Sequence, residues 1–311
     1  MEKVKFSVEA WAPEYGTSME AVTDSPSEAA VDASIETAPS RWAPVSASPR
    51  ARLPEKILFT DGVRRVDASV WIEDSQGTVR PAICASYSAG AVRCDRRAEV
   101  VAADVRRGLF CFPNHDAIGI STRYAHYPVC SAGGETPEQL ALALQLHMGR
   151  LEVSVAECAP ADLIVVDGPL TGRLNIPGAV GYVKTHHVAY LPPALHAVIG
   201  KLAPGQRTPV FMMTASTWSK FSWYLRLPGP PGSHWAGIVR CESNADLEVR
   251  EVVALADSVT ATLPRFASAG HKDPRAPQNL YPIAGLERQL RRRLGDPALL
   301  YRGLREAAIG G

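Results

Sequence analysis

Apolar and polar positions change rhythm along this chain. From Leu53 onward, short apolar runs follow one another at 57–60, 66–72, 81–89 and 108–112. Runs of this length, rich in β-branched and aromatic residues and separated by turn residues, predict consecutive strands, and their order predicts an antiparallel meander. Asp61-Gly62 reads as the turn between the first two. The rhythm then becomes helical: Leu140, Leu144, Met148, Leu151 and Val155 recur every three to four residues. Thr136 suits the N-cap, Pro137 the first helical position and Glu138 the first turn. Pro160 stops the helix, and the run 163–166 leads into Asp167-Gly168 as another buried strand. Further on, an apolar segment at 191–202 precedes strands predicted at 210–214, 223–227 and 237–241. A helix over 246–263, a loop over 274–282 and a basic helix over 286–294 complete the pattern.

Strand–strand–strand–helix–strand is the order of the ribonuclease H-like fold, in which the strand after the first helix lies beside strand one. The expected fold is therefore α/β, a mixed sheet flanked by helices, with Asp61 and Asp167 side by side. Residues 1–16 alternate weakly, and 17–52 are rich in Ser, Ala, Pro and acidic residues. That composition predicts a flexible or loosely wrapped arm over 1–52, ahead of one domain over 53–311. Trp11 and Trp42 are unusual in a plain linker; docking on the domain surface is the simple reading, a partner-binding arm the other.

With 311 residues, 46% hydrophobic content and a mean hydropathy of -0.06, the chain can bury a full core in water. A formal net charge of +1 excludes a generic polycation, so nucleic-acid binding would need a local basic face. The six cysteines form no C-x-x-C pair, which argues against zinc and for reduced, buried thiols. The first residues lack an apolar signal core, and no run approaches the roughly 20 apolar residues of a membrane span, so the expected location is the cytoplasm.

The candidate chemistry lies in the repeated Asp-Gly pair. A carboxylate at the tip of a buried strand is costly unless a cation compensates it, and hard cations such as magnesium or manganese prefer oxygen ligands. Two-metal phosphodiester cleavage uses three or four such acids, with one cation activating water and the other stabilising the leaving oxygen. Asp61 and Asp167 supply two. The helix between them supplies Glu152 or Glu157, and Glu152, on the border of the apolar stripe, is the better placed. The plain alternatives are a common turn pair for each Asp-Gly and a solvated helix position for either glutamate. His186-His187 is not read as a metal site, because adjacent residues of a strand point apart.

Phe59-Thr60-Asp61-Gly62-Val63-Arg64-Arg65, Val165-Val166-Asp167-Gly168-Pro169-Leu170, Gly181-Tyr182-Val183-Lys184-Thr185 and Pro277-Gln278-Asn279-Leu280-Tyr281-Pro282, in this order, resemble the NurA nuclease family over about residues 53–295. The resemblance implies a ribonuclease H-like fold, a homodimer and a manganese-dependent (or magnesium-dependent) DNA nuclease. The implied activity is 5′-3′ exonuclease and/or single-strand endonuclease, acting in DNA end resection with HerA, a hexameric ATPase. It places metal-binding acids at Asp61, Glu152 and Asp167, a further catalytic residue at Tyr281, and Lys184 along a DNA channel. The Ala-His pair that often follows the family's tyrosine is missing after Tyr281; His271 and Asp273 are the nearby candidates for that ligand.

Arg64 and Arg65, directly after Asp61, are candidate phosphate contacts, and Arg226 and Arg240, in late strands, are candidates for the DNA-facing cleft. Arg288 and 291–293 form the densest basic cluster, a salt-dependent backbone grip or a solvated helix face. Trp218, Trp223 and Trp235 read as core. Two rivals stand beside the DNA nuclease: an RNA- or branched-DNA nuclease of the same fold, and a non-catalytic module that binds DNA or caps an ATPase ring.

Overall fold

The computed structural model describes residues 29–73, 77–113, 119–170, 176, 178–185, 189–229 and 235–310. Trp11 with the rest of 1–28, and His186-His187, lie outside them. In chain order the elements are β1 (Ala30–Asp32), β2 (Val45–Ser46), β3 (Ile57–Glu73), β4 (Val79–Cys94), β5 (Ala98–Cys111), β6 (Ile120–Ser121), β7 (His126–Tyr127), β8 (Val129–Ser131) and α1 (Pro137–Ala156). There follow β9 (Leu163–Asp167), β10 (Ala179–Val183), α2 (Pro193–Gly200), β11 (Gln206–Arg207), β12 (Phe211–Ala215), β13 (Trp218–Arg226) and β14 (Ile238–Asn244). The chain closes with α3 (Val249–Thr262), α4 (Tyr281–Arg293) and α5 (Pro297–Gly310). Both parallel and antiparallel pairings occur, so the protein is mixed α/β, as the pattern predicts. No helix among the described residues is long and apolar enough to cross a membrane.

The chain forms two compact units and passes between them within β3. The first takes the described residues up to Phe59, with Cys94–Arg96 and Ala161–Ala284; the second takes Thr60–Arg93, Arg97–Pro160 and Gly285–Gly311.

In the first unit the strand order is β1-β12-β13-β14-β10-β9, with the first residues of β3 next to β9. β9 and β10 are parallel, and β10, β14, β13 and β12 pair antiparallel in turn. The starts of β3 and β9 are tied together: Asp162 N donates to Lys56 O at 2.8 Å, and the Glu55 and Lys56 amides both donate to the Asp162 carboxylate at 2.9 Å. One face packs α2 and Trp42 against Phe211, Met213 and Tyr224; on α3, Val252, Ala256 and Val259 are buried.

Residues 29–52 differ from the expected loose arm. β1 extends the sheet beside β12, and β2 pairs with β11. Trp42 is buried, and its indole donates to Ala33 O at 2.8 Å. Glu36 grips Arg207 with both oxygens, at 2.9 and 2.7 Å, and accepts from Val210 N at 2.7 Å. A few apolar and ionic anchors, rather than composition, order this segment.

In the second unit β4 runs between β3 and β5, and β8 lies parallel to β5. β4 is buried along most of its length, as expected of a strand covered on both faces. Its Ala85, Tyr87 and Ala89 side chains meet α1 through Leu140, Leu144, Met148, Leu151 and Val155. Ala82 and Cys84 belong to a second cluster that includes Leu304 of α5. Gly90 lets α4 approach, since a Cβ there would lie 3.0 Å from Leu286 and Leu290.

The expected turn at Asp61-Gly62 is absent. β3 is one 17-residue strand that runs straight through the pair. Asp-Gly makes a turn only where the chain leaves the sheet, and the residues on both sides of this pair are strand formers.

Candidate functional site

In the second unit, Asp61 (7% exposed) and Glu152 (3%) are buried acids. Asp61 Oδ1 accepts from Gly62 N at 2.8 Å. A Cβ built on Gly62 would lie 2.5 Å from Glu152 Oε1 and 2.9 Å from its Cδ, so the glycine leaves the gap that the glutamate fills. The Glu152 carboxylate therefore fills the space over the Gly62 position. Of the two helix acids weighed in the sequence, Glu152 is buried on α1 and Glu157 is the exposed residue just past its end.

The first unit carries a polar chain around Asp167. Lys184 Nζ donates to Asp167 Oδ2 at 2.6 Å and to Asn279 Oδ1 at 3.3 Å. Asn279 is fully buried, and its Nδ2 donates to Asp273 Oδ2 at 2.7 Å. Arg275 N donates to the other Asp273 oxygen at 2.8 Å. Tyr182 OH, donating to Gln278 O at 2.7 Å, fastens the 277–279 loop to β10.

The path of the chain after Asp167 is set by two glycines and a buried charge. Gly168 has φ +97°, a left-handed conformation that side chains rarely adopt. Its N donates to Tyr182 O at 2.9 Å. A Cβ on Gly181 would lie 3.1 Å from Gly168 O and from Leu170 N, so its absence lets residues 168–170 lie across β10. Leu170 N then donates to Glu242 Oε2 at 3.0 Å. Lys220 pairs with the same oxygen at 3.0 Å, and Arg240 with Oε1 at 2.8 Å. Burial alone would push the Glu242 carboxyl up, but Arg240, Lys220 and the Leu170 amide outweigh it and hold the carboxyl below its ordinary range. Burial pulls the Lys220 ammonium down, against the pull of Glu242.

The other predicted residues scatter. Arg240, expected to face DNA, is buried in the Glu242 pair with its guanidinium over the Tyr190 ring at 4.5 Å. Arg65, expected on phosphate, bonds Asp67 at 2.8 Å and the carbonyls of Gly295 and Leu294 beyond α4, at 2.9 and 3.4 Å. Arg226 donates to Ala236 O at 2.7 Å, and Arg64 is half-buried. Tyr281 is half-exposed: its hydroxyl accepts from Ala269 N at 3.2 Å, and Lys272 lies over its ring. His271 is exposed, whereas Asp273 is buried and held by Asn279.

Sequence reasoning missed Asn279 as a partner of Lys184, and it missed the Glu242 pair entirely. A signal for the latter was present: Lys220 and Glu242 are opposite charges within the two late strand segments. The register Ser222↔Glu242 puts Lys220 diagonally across from Glu242 on one face.

Among the described residues, no group of three or more His, Cys, Asp or Glu side chains is arranged to hold a metal ion. The separate acids fit a hard cation in the chemistry of their oxygen donors, and at Asp167 the Lys184 ammonium lies 2.6 Å from the carboxylate. They are not preassembled into a cage. No protein-family model matches the chain, and no curated protein matches it in sequence.

Proposed function

We propose that this protein is a metal-dependent DNA nuclease of ribonuclease H-like architecture, with Asp61 and Asp167 as its principal metal ligands and Glu152 as the third. The carrying observation is that Asp167 ends the buried strand β9 with a carboxylate that keeps 15% exposure and already holds a cationic group, Lys184 Nζ, at 2.6 Å. The NurA resemblance supports the same residues. On this reading the substrate is a phosphodiester. Manganese or magnesium, when bound, would supply Lewis acidity toward the phosphodiester's oxygens. The acids of the chain would hold the cation, and Lys184, hydrogen-bonded to Asp167, would lie beside the same anionic substrate. A HerA-type translocating ATPase and a second copy of this chain are the proposed partners, and end resection is the proposed setting.

A second reading, a non-catalytic module that binds DNA or caps an ATPase ring, is favoured by the absence of a preassembled acid cluster among the described residues. Cleavage of end-labelled single-stranded, duplex and branched DNA and of RNA, with EDTA, Mg2+ or Mn2+, separates the readings. Asp61→Asn and Asp167→Asn are expected to lower metal-dependent cleavage at least about a hundredfold. A lost ligand removes several kcal/mol of transition-state stabilisation, at about 1.4 kcal/mol per factor of ten. Glu152→Gln tests the third ligand. Cleavage that survives both aspartate changes sinks the nuclease assignment, and no cleavage with or without the ATPase favours the module.

A further inference from the structure

The structure places a cation of the chain itself, the Lys184 ammonium, on Asp167 Oδ2. Lys184 Nζ holds two acceptors at once, Asp167 Oδ2 at 2.6 Å and Asn279 Oδ1 at 3.3 Å. The second acceptor is fixed in orientation. Asn279 is buried and donates its Nδ2 to the Asp273 carboxylate at 2.7 Å, so its oxygen must face the other way, toward Lys184. Asp273 is held in turn by Arg275, through its backbone amide at 2.8 Å and its Nε at 3.7 Å. Side chains of both Lys184 and Asp167 keep a little exposure, 12% and 15%, so small ions can reach the pair.

We propose that Lys184 is a placeholder cation: it neutralises Asp167 in the metal-free protein, yields that oxygen to a divalent cation, and stays anchored on Asn279. This rests on the reading of Asp167 as a metal ligand and adds its regulation. Loading becomes a cation exchange. A 2+ ion competes with a 1+ ammonium for one carboxylate, and release leaves the ammonium with an acceptor, close enough to meet a substrate phosphate. The exchange makes metal affinity weaker than the acids alone would give, and it protects the metal-free fold from an unneutralised carboxylate.

The test is Mn2+ binding to the EDTA-stripped full chain, followed by the loss of the free-ion electron paramagnetic resonance signal and by melting temperature. Wild type, Lys184→Met, Lys184→Arg and Asp167→Asn are compared. Lys184→Met is expected to bind Mn2+ about tenfold more tightly, to melt lower without metal, and to gain more on adding it. Lys184→Arg, which keeps the charge, is expected to bind within about threefold of wild type. Equal or weaker binding by Lys184→Met, or equal tightening by Lys184→Arg, overturns the exchange while leaving Asp167 as a ligand if Asp167→Asn binds less. Binding that is absent in all four, or unchanged in Asp167→Asn, overturns the metal reading and the exchange with it.

Discussion

Gly62 and Gly168 look alike in the sequence, each following an aspartate, yet they are glycines for different reasons. At Gly168 the requirement is conformational, a φ of +97° that a side chain would strain. At Gly62 the requirement is space, because a Cβ would collide with the buried Glu152 carboxylate. Gly62→Ala should therefore destabilise the protein by about 1–3 kcal/mol through overpacking. The cost should shrink when Glu152 is also truncated to Ala. A double-mutant cycle by denaturant unfolding checks this: additive costs would mean that the two side chains do not compete for the gap. Glu242 carries a second residue-scale prediction. Its carboxyl is held below the ordinary 4.5 by Arg240 and Lys220, so the stability it contributes is complete above about pH 4.5 and is lost as pH falls through its lowered folded value. Glu242→Gln should cost about 3–5 kcal/mol at pH 7, since it leaves two buried cations without their counter-charge, and it should flatten the acid limb of the stability profile. An unchanged acid limb would place the acid sensitivity elsewhere.

At the scale of elements, legibility followed periodicity. The 3.6-residue rhythm from Leu140 to Val155 gave α1 almost to the residue, because one face of that helix packs on an apolar sheet and the other meets water. The runs at 57–60 and 66–72 gave strand but not its continuity, since a turn pair in mid-strand obeys local chemistry only when no helix needs its small size. Composition misled most over 29–52. Its order comes from Trp42 and Glu36, single residues whose partners, Phe211 and Arg207, lie more than 150 positions away, and no local pattern reports such pairings. At the candidate site Asp167 was legible as a carboxylate ending an apolar strand, whereas Asp61, read as a strand tip, lies within β3. The pairings of Arg65 and Arg240 were not legible, because a buried partner carboxylate is invisible in sequence. The anchoring of 29–52 is testable. Arg207 is 1% exposed and bridges Glu36 to Asp257, so Arg207→Met should cost about 3–5 kcal/mol by leaving two acids unpaired. Adding Glu36→Gln and Asp257→Asn should restore much of it. Hydrogen exchange of the β1 amides reports the same event: protection should fall in the single variant and return in the triple.

For the whole molecule, the decisive fact is that neither unit is a continuous stretch of chain. The first needs residues up to Phe59 as well as Ala161–Ala284, and the second needs residues on either side of that stretch. A cut after Pro160 therefore removes β1, β2 and the start of β3 from the first unit, and takes α4 beyond Ala284, with all of α5, from the second. The apolar surfaces so exposed are substantial. Leu286 and Leu290, packed over Gly90, lie beyond the cut, as does Leu304 in the cluster with Cys84 and Leu109, while Trp42 and Ala33, which cover Phe211, lie before it. At roughly 1.5–3 kcal/mol for each large side chain returned to water, the loss exceeds the 5–15 kcal/mol that holds a typical domain together. Fragments 29–160 and 161–311, expressed separately, should each lack a cooperative thermal transition, and mixing them should restore one. A sharp melting transition in either fragment alone would show that its unit folds without the distant segments, and the chain would then be better described as two sequential domains.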